Sequence, residues 1–169
     1  MRRTREARLS GTDAAFEPER HYCAEQRWFE DFRVGERYIL PSRTVTSANF
    51  AAFQVVSGDN HPIHYDIEYC RKRGLSGLLA HGLQVVCFAA AGAGRFPHEV
   101  SDSLVAFLEQ SSRFLAGVIE GDTLYPALEI TELTAQRSTG VIVMRATIHN
   151  QRRELVLDGW HKYLVKKRG

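Results

Sequence analysis

Asp59 and His64 stand five residues apart in the segment Ser57-Gly58-Asp59-Asn60-His61-Pro62-Ile63-His64-Tyr65-Asp66, and a glycine follows in Leu79-Ala80-His81-Gly82-Leu83. A carboxylate and an imidazole, with reference pKa values of about 3.9 and 6.5, are the side chains best suited to moving a proton on and off water near neutral pH. Pro62 cannot sit inside a continuing helix, and a five-residue separation does not place two side chains on one helical face. The pair must therefore be presented by a loop. Each residue also has a plain structural use when taken alone. Asp59 could cap the following turn, His64 could be a satisfied core histidine, and Gly82 could be a packing glycine. A zinc site built from His61, His64 and His81 is not expected, because no clear fourth ligand or helical histidine spacing accompanies them.

The surrounding sequence supplies the elements that hold this segment. Tyr38 to Val45 is rich in β-branched and aromatic residues, and Pro41 makes it an edge or bulged strand. Thr46 or Ser47 suits a helix N-cap, and Phe50, Phe53, Gln54 and Val56 carry a helix that ends near Gly58. Asp66 to Arg73 predicts a further helical turn, with Asp66 orienting the loop or a neighbouring amide. Gly74 and Gly77 precede a long apolar helix that begins around Ala80, carries Leu83, Val85, Val86, Phe88, Ala89 and Ala90, and needs wrapping on several sides. The second half reads as four strands, Leu104 to Phe114, Thr123 to Leu133, Gly140 to His149 and Glu154 to Val165, joined by turns such as Glu120-Gly121-Asp122 and Asn150-Gln151-Arg152-Arg153. Val141, Val143, Arg145, Thr147 and His149 alternate with Ile142, Met144, Ala146 and Ile148, as in a sheet with one buried face. The sum is an α+β fold, a single domain whose curved antiparallel sheet wraps around a long buried helix.

Composition narrows the function classes. With 169 residues the chain fits one domain able to bury a core without staples. Lys and Arg number 22 against 20 Asp and Glu, a net charge of +2, so a nucleic-acid partner is not expected. Cys23, Cys70 and Cys87 are widely spaced with no C-x-x-C pair, which suggests neither a disulfide framework nor a thiolate metal site and fits a reducing cytoplasm. The stretch Leu78 to Gly94 is too short and too polar for membrane insertion. Residues 1–26 balance five arginines with five acids and read as a charged tail, leaving 27–169 as the folded domain, with Trp28-Phe29 as its first aromatic anchors.

Together, Ser57-Gly58-Asp59, Pro62-Ile63-His64-Tyr65-Asp66 and Ala80-His81-Gly82, with Arg113-Phe114, Val118 and Gly121-Asp122-Thr123-Leu124 further on, resemble the MaoC-like dehydratases and (R)-specific enoyl-CoA hydratases, which have the hot-dog fold. The resemblance runs from about Phe29 to Val165. The chain departs from the strict hydratase pattern at His61, Cys70 and Gly117, none of which removes the acid, the base or the glycine.

The resemblance implies hydration of a trans-2-enoyl thioester of coenzyme A to the (R)-3-hydroxyacyl thioester, or its reverse. Asp59 and His64 are then the catalytic pair, and the Gly82 backbone N–H, in the first turn of a helix, is placed to hold the thioester oxyanion. Ser57, Pro62, Ala80 and His81 are expected to contact substrate. No metal or redox cofactor is called for, and coenzyme A enters as part of the acyl-CoA substrate. A homodimer or higher homo-oligomer is expected, since one sheet around one helix leaves an edge and an open cleft. Arg113, Arg137, Arg145, Lys162, Lys166, Lys167 and Arg168 form a basic edge, either solvated or available to coenzyme A phosphates. The competing readings are a hot-dog acyl-CoA thioesterase and a non-catalytic acyl-thioester binding module.

Overall fold

The computed structural model describes residue 13 and residues 15–169; the first half of the charged tail expected over 1–26 lies outside the described residues. Six strands form one antiparallel sheet. They are β1 (Arg37–Ile39), β2 (Arg43–Thr44), β3 (Leu104–Phe114), β4 (Thr123–Ala135), β5 (Thr139–Asn150) and β6 (Leu155–Lys166). The order is β1-β4-β5-β6-β3, with β2 also paired to β4, so β3 forms one edge and the two short strands the other. The four long strands lie within two residues of the expected boundaries because their alternation is strong. Ile142, Met144, Ala146 and Ile148 are fully buried, while the interleaved Arg145 and His149 are exposed. The strand expected over Tyr38 to Val45 is two short pieces, because Pro41 brings no N–H to the ladder. Register shifts at Ile130/Glu132 and Phe107/Glu109 bend the sheet.

Among the described residues four short helices accompany the sheet: α1 (Ser47–Ser57), α2 (Ile67–Lys72), α3 (Gly82–Cys87) and α4 (Phe96–Glu99). Gly58 ends α1 in the left-handed conformation at φ 70°, which suits a residue without a side chain. The long buried helix expected from Ala80 onward is broken: α3 stops at Cys87, a 3-10 turn spans Ala91–Ala93, and α4 starts with Pro97 in its first turn. Gly92 and Gly94 weaken helical continuation, and the Pro97 ring closes it off. Nor is α3 wrapped on all sides. Val85, Phe88 and Ala89 join the core of Leu124, Leu128, Ile130 and Leu157, but Leu83, Cys87 and Ala90 face outward. No helix among the described residues is long and apolar enough to cross a membrane.

The segment before β1 is fastened to α4. Tyr22 donates to the Asp102 carboxylate at 3.0 Å, and Gln26 bonds the His98 carbonyl at 2.7 Å. The Arg27 guanidinium is the hub. It reaches Glu36 at 2.8 Å, Glu99 at 3.0 Å and the Tyr38 hydroxyl at 3.1 Å, and it lies 4.1 Å over the Phe32 ring.

Candidate active site

The sharp turn after α1 sets the acid. Asp59 follows the Gly58 cap, its N–H donates to Ser57 Oγ at 3.2 Å, and its own Oδ1 accepts from the His61 N–H at 3.1 Å. The carboxylate thus holds the turn with one oxygen and remains exposed to solvent. Pro62 opens a single 3-10 turn, Pro62–His64, whose fixed φ brings the base back toward the acid. Asp66 caps α2 by accepting from the Tyr69 N–H at 3.0 Å, the orienting role expected of it.

His64 is tied by Nδ1 to the Leu79 carbonyl at 2.5 Å. A carbonyl can only accept, so the proton sits on Nδ1 and the lone pair on Nε2 is free to act as a base. Burial pushes the His64 pKa below the ordinary histidine value, and His81 and His61 push the same way, while the Leu79 carbonyl and Asp59 oppose them. The imidazole is therefore neutral at pH 7, the form a general base needs.

The Ala80-His81-Gly82 segment closes the site from the other side. Ala80 N–H donates to the Val118 carbonyl at 2.8 Å, which pins the entry to α3 beside the β3–β4 connection. Gly82 occupies the first position of α3, where a backbone N–H has no intrahelical acceptor. A Cβ on Gly82 would lie 2.9 Å from the Phe114 ring, so the glycine permits that contact. A cleft of about 400 Å³ opens there, walled by Leu79, Val85, Phe114, Leu115 and Val118. Neither Asp59 nor His64 lines this cleft, and a larger groove of about 780 Å³ around Ile39, Tyr125 and His149 includes none of Asp59, His64 and Gly82.

The fold thus brings Asp59, His64 and His81 together, with one polar atom from each within 4.8 Å of the others. The two imidazoles lie stacked, with ring centres 3.6 Å apart at 22°. Their in-plane lone pairs therefore point side by side rather than converging. A metal shared by both would sit well out of at least one ring plane, which does not suit imidazole ligation.

The four residues expected against substrate are placed differently from one another. Ser57 braces the Asp59 turn, Pro62 shapes the loop, and Ala80 is buried beside Gly82. His81 is only 3% exposed, with Nδ1 against Gln84 Oε1 at 3.1 Å and Nε2 against the Tyr65 hydroxyl at 3.1 Å. Sequence reasoning assigned no role to Gln84 or Tyr65. The available signal was one amide inside an apolar run, three residues after His81 and so on the same helical face. In the basic edge, Arg113 and Arg145 share Asp158 at 2.7 and 2.8 Å, Lys162 pairs with Glu109, and Arg168 pairs with Asp31. These four already have carboxylate partners.

The sheet with its short helices, and an acid and base presented at the entry to α3, define a hot-dog enzyme scaffold. The chain superposes with a TM-score of 0.72 on a Mycobacterium tuberculosis protein described as a double hotdog fold, at 27% identity over 85% of this chain and 47% of that one. It superposes with a TM-score of 0.80 on a protein of Archaeoglobus fulgidus described as a monoamine oxidase regulatory protein, at 28% identity over 88% of this chain and 99% of that one. Residues 31–151 match the MaoC like domain, and the chain belongs to that family. Among characterised relatives, it is 28% identical to the 3-hydroxybutyryl-CoA dehydratase of Methylorubrum extorquens over 133 residues, 78% of this chain and 80% of the relative.

Proposed function

We propose that the protein is a hydro-lyase that adds water to a trans-2-enoyl-CoA, or removes it from the (R)-3-hydroxyacyl-CoA. One observation carries the reading: His64 has its Nδ1 proton committed to a backbone carbonyl, leaving Nε2 free, and a polar atom of its ring lies within 4.8 Å of an Asp59 carboxylate oxygen. In the hydration direction, Asp59 orients a water and His64 Nε2 takes a proton from it as its oxygen bonds to C3. The C2–C3 π electrons move to C2 and the thioester oxygen, where the Gly82 N–H holds the developing charge. His64 then returns a proton to C2, so the addition balances with no redox group or metal. The similarity to a 3-hydroxybutyryl-CoA dehydratase supports a short acyl-CoA as the first substrate to test.

Purified protein is expected to remove the enoyl absorbance of crotonyl-CoA without releasing thiol. Thiol release would instead make it a thioesterase, and binding without either signal would make it an acyl-thioester binding module.

The reading extends to a homodimer. Edge strand β3 leaves Val105, Phe107, Leu108 and Phe114 about half exposed, and Leu83 of α3, next in sequence to the Gly82 that meets Phe114, is exposed as well. A second copy pairing along β3 satisfies the free strand edge and covers this apolar surface at once. A Val105→Lys/Leu108→Lys variant should sediment as a monomer at concentrations where the wild type is dimeric, and an unchanged sedimentation coefficient would rule out this edge. The free cysteines Cys23, Cys70 and Cys87 suit a reducing compartment, in keeping with a cytoplasmic enzyme.

A further inference from the structure

We propose that His81 is a positioning residue for His64: clamped between Gln84 and Tyr65, its ring is the fixed platform on which the His64 imidazole lies. The inference rests on the hydratase reading for its kinetic consequences, but its geometry does not depend on it.

The hydrogen bonds of the clamp follow from the Gln84 amide. The backbone N–H of His81 can only donate, and it meets Gln84 Oε1 at 3.3 Å, which fixes the orientation of the amide. The same oxygen lies 3.1 Å from His81 Nδ1 and accepts its proton. Nε2 is then the acceptor for the Tyr65 O–H at 3.1 Å. Both edges of the ring are held, and Phe53 backs it with ring centres 4.8 Å apart. The His64 ring stacks on it with centres 3.6 Å apart. The Asp59 carbonyl oxygen lies 3.4 Å from His81 Nε2, a close approach of two acceptors rather than a hydrogen bond when the ring proton is on Nδ1. His64 itself has one anchor, the Leu79 carbonyl. A single hydrogen bond does not fix a ring plane, whereas a stacked partner does.

Gln84 shows that the arrangement is kept at a cost. It is 3% exposed, and its Nε2 is buried without a hydrogen-bond partner. A leucine there would avoid the loss of hydration at that amide. The return for the unpaired donor is the oxygen that holds His81.

The platform also shields His64 from water on one face. The groups facing the His64 ring are Asp59, His61, Tyr65, His81 and the Leu79 carbonyl, and removal of the His81 ring takes away shielding while leaving the others in place.

The test compares His81→Ala with His81→Phe, measuring the His64 titration by NMR and steady-state hydration of crotonyl-CoA. His81→Ala should move the His64 midpoint up toward the ordinary value of about 6.5. It should lower kcat about 10- to 100-fold with little change in KM. His81→Phe, which keeps a stacking ring, should recover part of both. A folded His81→Ala protein with an unmoved His64 midpoint and unchanged kcat overturns the proposal. A rise in KM at constant kcat overturns it in favour of direct substrate contact. If His81→Ala does not fold, Tyr65→Phe, which loses one hydroxyl, decides by the same two readouts in the same directions. Should the wild type hydrate no enoyl thioester, the hydratase reading fails, and the NMR titration still decides the positioning role.

Discussion

Replacing His64 by alanine should lower kcat/KM for crotonyl-CoA hydration by about 10²–10⁴-fold, the usual worth of a positioned acid-base group. Asp59→Asn should fall in the same range, since it keeps the turn bond to the His61 N–H through its amide oxygen but loses the charge that orients water. In the proposed mechanism the two residues serve one water, so the double variant should be little worse than the poorer single one. The proposed mechanism requires neutral His64, and burial depresses its pKa. The acid limb of the kcat/KM profile should therefore have its midpoint below about 6.5, with the rate lost as pH falls through it and a plateau at neutral pH. Kinetics of the three variants and a wild-type profile from pH 5 to 9 check this. Either single variant retaining full activity would remove that residue from the chemistry.

The largest effect on stability is expected at Arg27. Glu99 keeps only 4% of its side chain exposed, and Arg27 joins it to Glu36 and to the Tyr38 hydroxyl. Arg27→Met leaves Glu99 buried with only the outward Arg95 as its charged partner, at 2.6 Å. Removing one partner of a buried pair costs about 3–5 kcal/mol, and the remaining Arg95 contact places this case near the lower end. Arg27→Lys should be intermediate, because an ammonium keeps the charge but cannot span the same acceptors in a planar fork. Urea unfolding monitored by circular dichroism measures both. A loss under about 1 kcal/mol for Arg27→Met would mean the pair is replaceable, as exposed ion pairs commonly are.

What the sequence reveals depends on how locally each feature is encoded. β5 was legible because Ile142, Met144, Ala146 and Ile148 follow the two-residue period of a one-sided sheet, and the Asn150 to Arg153 turn marks its end. The Asp59–His64 loop was legible because Gly58 can take the left-handed conformation that ends a helix and Pro62 fixes its own φ. The run after Ala80 was misleading for two physical reasons. Its apolar composition reads as deep burial on all sides, yet Leu83 and Cys87 are exposed. Its glycines and Pro97 break it into short pieces, an effect that hydrophobicity alone does not register. His81 was harder still. A histidine beside a site glycine looks like a substrate contact, and only the contacts to Gln84 and Tyr65, three and sixteen residues away, show that it is held inside the protein.

The shortness of α3 bears on how the anionic oxygen proposed for Gly82 would be held. Six residues make fewer than two turns, too little for peptide dipoles to add up along an axis, so the helix contributes little long-range field. What remains is contact: individual amides at its open end, each effective only within hydrogen-bonding distance. Such a site tolerates charge changes farther along the chain and resists screening by salt, but it is sensitive to small displacements of its first residue. The Phe114 ring pressed against Gly82 is then a mechanical stop, setting by its bulk where that amide stands.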